Sequence, residues 1–205
     1  MEGKKNNIKR FFNALRGSLG YGKSVMLLLL MLCAMEANAQ RIAVNTDVLM
    51  DAFCAPSLGV ELTLAKKSTL NINALYGEKI LGKEMRIAAL QPEWRAYISG
   101  RPMYHHYVGV VGLLASYKIN FDNKCHDGDA AGLGVSFGYV LPVKERLLID
   151  FHTSLGGAYY HQKEYMLGED YDNEHKNLSG YPVANASGSL LIPLRIGISV
   201  AYIIK

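Results

Sequence analysis

After residue 40 this chain alternates apolar and polar residues in eight stretches, and the connections between them run long, short, long, short. A period of two sends successive side chains to opposite sides of a sheet, so each stretch reads as a strand with one apolar and one polar face. The stretches are 42–50, 58–65, 69–76, 86–98, about 106–119, 132–141, 147–160 and about 191–204. Long tips follow the odd-numbered stretches and tight turns the even-numbered ones. That asymmetry, with an even strand count, is how barrels that cross an outer membrane are wired. The expected fold is all-β: an eight-stranded antiparallel up-and-down transmembrane β-barrel over residues 40–205.

Residues 1–39 read as a signal peptide. Lys4, Lys5, Lys9, Arg10, Arg16 and Lys23 precede the apolar run Val25–Met35, and Ala37-Asn38-Ala39 follows as a cleavage signal. The run is too short for the ~20 residues of a spanning helix. Leu32 stands where a lipoprotein would carry a small residue before Cys33. With Glu2 and Glu36, this segment accounts for the whole formal charge of +4. The domain that remains is close to neutral, which gives a nucleic-acid partner no electrostatic support. The expected location is the bacterial outer membrane, reached through a cleavable signal.

A soluble lipocalin-like barrel has the same stripe with its apolar face turned inward. Two features favour the membrane. The polar faces are mostly Gly, Ser, Thr, Asn and Ala, whereas a water-facing exterior carries many Lys and Glu residues. Aromatic residues on the apolar faces also fall near strand ends: Tyr76, Tyr117 and Tyr159 at one rim, Tyr107, Tyr139 and Tyr202 at the other, with Trp94 in that second half. Two such girdles suit the two interfaces of a bilayer.

Inward-facing charges then form a lumen network. Its candidates are Glu61, Glu93, Arg95, Asp150, His152 and Arg195, with Asp47 at its edge. Eight strands enclose a space that side chains fill. Charges there must pair or stay hydrated, so the expectation is a structural plug in preference to a gated path.

Several motifs resemble those of a known family: Thr46-Asp47-Val48-Leu49-Met50-Asp51-Ala52, Pro56-Ser57-Leu58-Gly59-Val60-Glu61 and Gln91-Pro92-Glu93-Trp94-Arg95 early on. Gly132–Tyr139 and the ending from Pro193 to Tyr202 continue the likeness. Together they are similar to the outer-membrane barrel group of Bacteroides-like bacteria filed as domain of unknown function 3575. The resemblance covers essentially all of 40–205, and Gln-Pro-Glu-x-Arg is its most specific piece. It implies an outer-membrane barrel, sometimes encoded near fimbrial or surface-protein genes, and it supplies no activity or catalytic residues. One departure is the terminus: such strands often close on an aromatic residue, and this chain runs on from Tyr202 to Lys205.

The tips are where partners would act. Tip 51–57 holds Cys54 and tip 120–130 holds Cys125, so a disulfide across the mouth and two separate thiols both stay open, the separate thiols favoured. Asp122 to Asp129 suits a turn better than a calcium loop, because Lys124 interrupts it and the spacing is wrong. The longest tip, roughly 161–188, mixes Glu164, Glu169, Asp170, Asp172 and Glu174 with Tyr165, Tyr171 and Tyr181. It reads as solvated loop or as a contact surface for a protein or glycan.

No catalytic, cofactor-binding or metal site is expected. Asp150, His152 and Ser154 share one inward face of one strand, an arrangement that seldom converges as a triad, and His105-His106 lacks companion ligands at suitable spacing. The reading is a monomeric, non-enzymatic barrel surrounded by outer-membrane lipid. Its role would be structural or in surface interaction, with fimbriae or adhesion as the associated process. The alternatives are a lipid-modifying barrel enzyme and a soluble periplasmic binding barrel.

Overall fold

The computed structural model describes residues 41–80, 83–121, 123–166 and 184–204, so the export signal expected over 1–39 and most of tip 161–188 lie outside it. The strands are β1 (Ile42–Asp47), β2 (Ser57–Ala65), β3 (Ser68–Ile80), β4 (Lys83–Tyr97), β5 (His105–Phe121), β6 (Lys124–Pro142), β7 (Leu147–Met166) and β8 (Ala186–Ile203). One short helix, α1 (Val48–Ala52), joins β1 to β2. Neighbouring strands pair antiparallel in sequence order. β1 then pairs with β8, from Ala43↔Ile203 to Asp47↔Ser199, and the single sheet closes on itself. The closing pairing covers the turn-end part of β8, from Ser199 to Ile203.

The strands run further than the alternation suggested. β3 and β4 continue to a connection at 81–82, and β5 and β6 to one at 122–123, so the region read as tip 120–130 is largely ladder. Polar side chains on paired strands had looked like loop. Arg86 meets Glu78 at 3.6 Å and Lys118 meets Asp127 at 3.4 Å, each pair bridging two strands of an extended hairpin. Asn123 adopts φ 64°, a left-handed conformation that asparagine tolerates and a two-residue hairpin turn requires. β1, by contrast, stops at Asp47 instead of running to Met50. Asp47 caps α1 by accepting from the backbone N–H groups of Leu49 at 3.1 Å and Met50 at 3.3 Å.

The two faces of the sheet are inverted relative to a soluble protein. Leu133, Phe137 and Leu155 point outward with 66, 52 and 51 % exposure, while Asn71, Asn73, Glu93 and Arg95 point inward and are buried. Three layers line the lumen. At the end holding the turns 66–67, 98–104 and 143–146, Ala43, Tyr97, Met103, Tyr107, Val140, Leu148, Ala201 and Ile203 form an apolar cluster. Polar and charged groups occupy the middle. Toward the tips lies a second apolar region built on Val111, Ala158 and Leu194, against which Leu113 and Ile192 rest. A bulge makes this last layer possible. Between Ser154 and Gly156 the register on β8 jumps from Arg195 to Ile192. The extra residue lets adjacent Leu194 and Arg195 both turn inward, each buried.

Candidate functional site

Arg95 is the centre of the middle layer. It sits on β4, two residues from Glu93, and period two puts both on the inward face. Its Nη1 lies 3.0 Å from Glu61 Oε2 on β2 and 3.0 Å from Asp150 Oδ2 on β7, and its Nη2 lies 2.8 Å from Glu93 Oε2. The guanidinium also rests over the Tyr107 ring, 4.5 Å from its centroid. The same Glu93 oxygen receives Arg195 Nη1 from β8 at 2.9 Å. With its carboxamide oxygen turned toward the guanidiniums, Asn71 accepts from Arg195 Nη1 at 2.8 Å and Arg95 Nη2 at 3.3 Å.

Hydroxyls complete the carboxylates. Thr69 donates to Glu61 at 2.6 Å and Tyr97 donates to the same oxygen at 2.8 Å, while Tyr107 donates to Asp150 at 3.2 Å. His152 lies between two aspartates, its Nε2 3.0 Å from Asp47 Oδ2 and its Nδ1 3.7 Å from Asp150 Oδ2. Four carboxylates therefore share two guanidiniums and one imidazole. Arg95 serves three of the carboxylates and Glu93 receives both guanidiniums, which is how buried charge is tolerated away from water.

Glycines opposite the large side chains make the room. A Cβ on Gly138 would collide with the Tyr107 ring, and one on Gly197 would collide with the Asp47 carboxylate. The contacts run between β4 and β8, β4 and β7, and β7 and β1, so this layer ties opposite walls together. Nothing in it is arranged as a nucleophile with its base. Ser154 Oγ donates to the Arg195 carbonyl at 3.0 Å, not to His152.

All six charged residues singled out from the sequence, with Asp47, meet in this one layer. Tyr97, Tyr107, Thr69 and Asn71 were missed as members. Tyr97 was legible, since it follows Arg95 by two. Tyr107 was not: the stretch 106–119 is apolar on both faces, and only the pairing Tyr97↔Tyr107 shows which side it takes.

That pairing corrects the aromatic girdle at two positions. Tyr107 is 1 % exposed in the lumen, and Tyr117 shares the inward parity and donates to buried Gln162 at 2.6 Å. Tyr76, Trp94, Tyr159 and Tyr202 do face outward and are about half exposed. Tyr139 is partly buried, stacked on His105 with centroids 5.5 Å apart and tilted against His106 at 4.7 Å.

Cys54 and Cys125 are both free thiols, the first exposed and the second buried. A bridge between them is excluded by placement. Cys54 follows α1 and lies beside Gly77 of β3, while Cys125 sits near the tip of the β5–β6 hairpin, three strands around the ring. Among the described residues of 123–129, the aspartates do not converge either: Asp127 pairs with Lys118, and Asp129 sits between Ser116 and His161 in one outward row. Ser116 and His161 are two strand spacings apart, about 10 Å, with the aspartate between them and no hydrogen bond joining the three.

A family model described as protein of unknown function (DUF3575) matches residues 25–204. No curated protein and no solved structure matches the chain.

Proposed function

Because the chain belongs to the DUF3575 family, whose description carries no activity, we propose a role from its surface: a small outer-membrane barrel acting as a structural scaffold and surface-interaction protein. One observation carries this reading. The outward positions of β6 from Ala131 to Leu141 span about 33 Å along the strand, or about 25 Å of height at the usual ~40° tilt, the depth of an outer-membrane apolar band. Leu133, Val135, Phe137 and Leu141 fill that interval, and all are exposed. Leu114 on β5, Leu155 on β7 and Ile196 on β8 continue the belt around the ring. A soluble monomer rarely exposes a contiguous apolar surface of that extent.

The belt has edges. Toward the tips it ends at one cross-strand row, Tyr76, Ala88, Ser116, Asp129, His161 and Ser187. Beyond the row, the outward face carries Lys118 and Asp127. In this frame the wall of β5–β7 projects from the bilayer and offers a charged surface to a protein or glycan. The base of the last connection is pinned there: Asn185 accepts from the Glu164 N–H at 2.7 Å and donates to the Glu164 carbonyl at 2.8 Å.

Fractionation combined with photo-crosslinking tests both halves. A photoreactive residue at Leu133 should capture lipid, and one at Lys118 a macromolecular partner on intact cells. Recovery of the protein in the soluble periplasm would refute the scaffold, and capture of nothing but lipid at Lys118 would refute the contact surface.

A further inference from the structure

We propose that the tip half of the lumen is a binding pocket for a neutral molecule with a single hydrocarbon chain and an uncharged head at its inner end. Eight strands leave an interior that side chains ordinarily fill, and the middle and turn-end layers of this one are filled. Among the described residues, none fills the tip half. It encloses a cavity of about 460 Å³, within the ~300–1,000 Å³ of small-molecule sites.

The sequence creates this space by placing small residues at one level. Ala89, Ala115 and Ala130 stand side by side on β4, β5 and β6, all lining the cavity where larger side chains would close it. Leu75, Ile87, Leu113, Ile119, Ile192 and Leu194 supply the walls. From Leu113 to Ile119 the wall follows β5 for about 20 Å, long and narrow in proportion. An extended alkyl chain suits that shape better than a compact ring system.

The floor decides the charge of the ligand. Asp47, Gln91 and Arg195 lie there, above the charged layer. Gln91 is already committed, donating to the Leu194 carbonyl at 2.9 Å and accepting from Asn73 at 3.2 Å. Arg195 is 5 % exposed, and its Nη1 is held by Glu93 at 2.9 Å. The layer beneath holds Asp47, Glu61, Glu93 and Asp150 against only Arg95 and Arg195 as fixed cations, so it repels a carboxylate or phosphate head. An uncharged hydroxyl or ester head avoids that penalty.

This inference goes further than the scaffold reading and its failure would leave that reading intact. The test is native mass spectrometry of the full chain refolded in detergent micelles, titrated with dodecanol and separately with laurate. The expected result is a saturable one-to-one dodecanol complex, with laurate at least ~10-fold weaker. Ala115→Trp and Ala89→Phe, each filling the cavity, should abolish the complex while keeping the folded form's heat-modifiable gel mobility. Absence of the one-to-one complex, its survival in a folded filled variant, or laurate binding as tightly as dodecanol would overturn the proposal.

Discussion

His152 on β7 holds Asp47 at the end of β1, Nε2 to Oδ2 at 3.0 Å, while the other oxygen of the same carboxylate caps α1. One side chain thus ends a strand, starts a helix and ties β1, the shortest strand at six residues, to a strand 105 residues away. Asp47→Ala removes both interactions at once. Losing the cap costs about 1 kcal/mol, and leaving buried His152 without its partner adds about 1–3 kcal/mol. Asp47→Asn keeps its one carbonyl oxygen for the cap and turns an N–H toward His152 in place of the second oxygen, so it should lose only the His152 part, less than Asp47→Ala. Urea unfolding of the refolded protein in lipid vesicles measures the pair. Equal losses would mean that the carboxylate is not shared.

Arg95 answers for three carboxylates, so its removal should be among the costliest single changes in the lumen. Arg95→Met leaves Glu61 and Asp150 without their guanidinium and should destabilise by about 3–5 kcal/mol. Adding Glu61→Gln to that variant should recover part of the loss, because a neutral amide tolerates burial that an unpaired carboxylate does not. Strictly additive losses in the same unfolding assay would contradict the network.

The fit of Tyr107 against Gly138 makes a separate prediction. Gly138→Ala forces a methyl into the tyrosine ring and should cost about 1–3 kcal/mol, the usual range for overpacking. Tyr107→Leu in the same chain should relieve much of that clash, even though it forfeits the contacts with Arg95 and Asp150. A double-mutant cycle reads this as a favourable coupling. No coupling would place Tyr107 outside the lumen.

What the sequence made legible was whatever depends on parity within one strand. Glu61, Glu93 and Arg95 alternate cleanly with Val60, Leu62, Trp94 and Ala96, so their inward direction needed no partner strand. Tyr107 and Tyr117 lie on a strand apolar on both faces, and only the register against β4 orients them. The bulge that turns Leu194 and Arg195 inward together breaks the alternation at its proline and is visible only in the pairing. The extended hairpins were hidden for another reason. Arg86, Lys118 and Asp127 carry loop-like chemistry because their part of the ladder stands clear of the apolar belt. Which cation meets which carboxylate depends on the stagger of all eight strands, and no single segment encodes that. The cavity was least legible of all, since Ala89, Ala115 and Ala130 come from three separate segments and are small residues of no note until they align.

If the outward belt faces lipid, an arginine scan along β6 in vesicles registers the depth of the bilayer. Arginine is placed in turn at Ala131, Leu133, Val135, Phe137, Tyr139 and Leu141, with Asp127 as a control beyond the belt, and each variant's unfolding free energy is measured. The predicted profile rises to a loss of about 2–4 kcal/mol at Val135 and Phe137 and falls toward ~0–1 kcal/mol at both ends and at Asp127. A flat profile, or a wild-type protein that stays monomeric and folded in buffer without lipid or detergent, would contradict a lipid-facing belt.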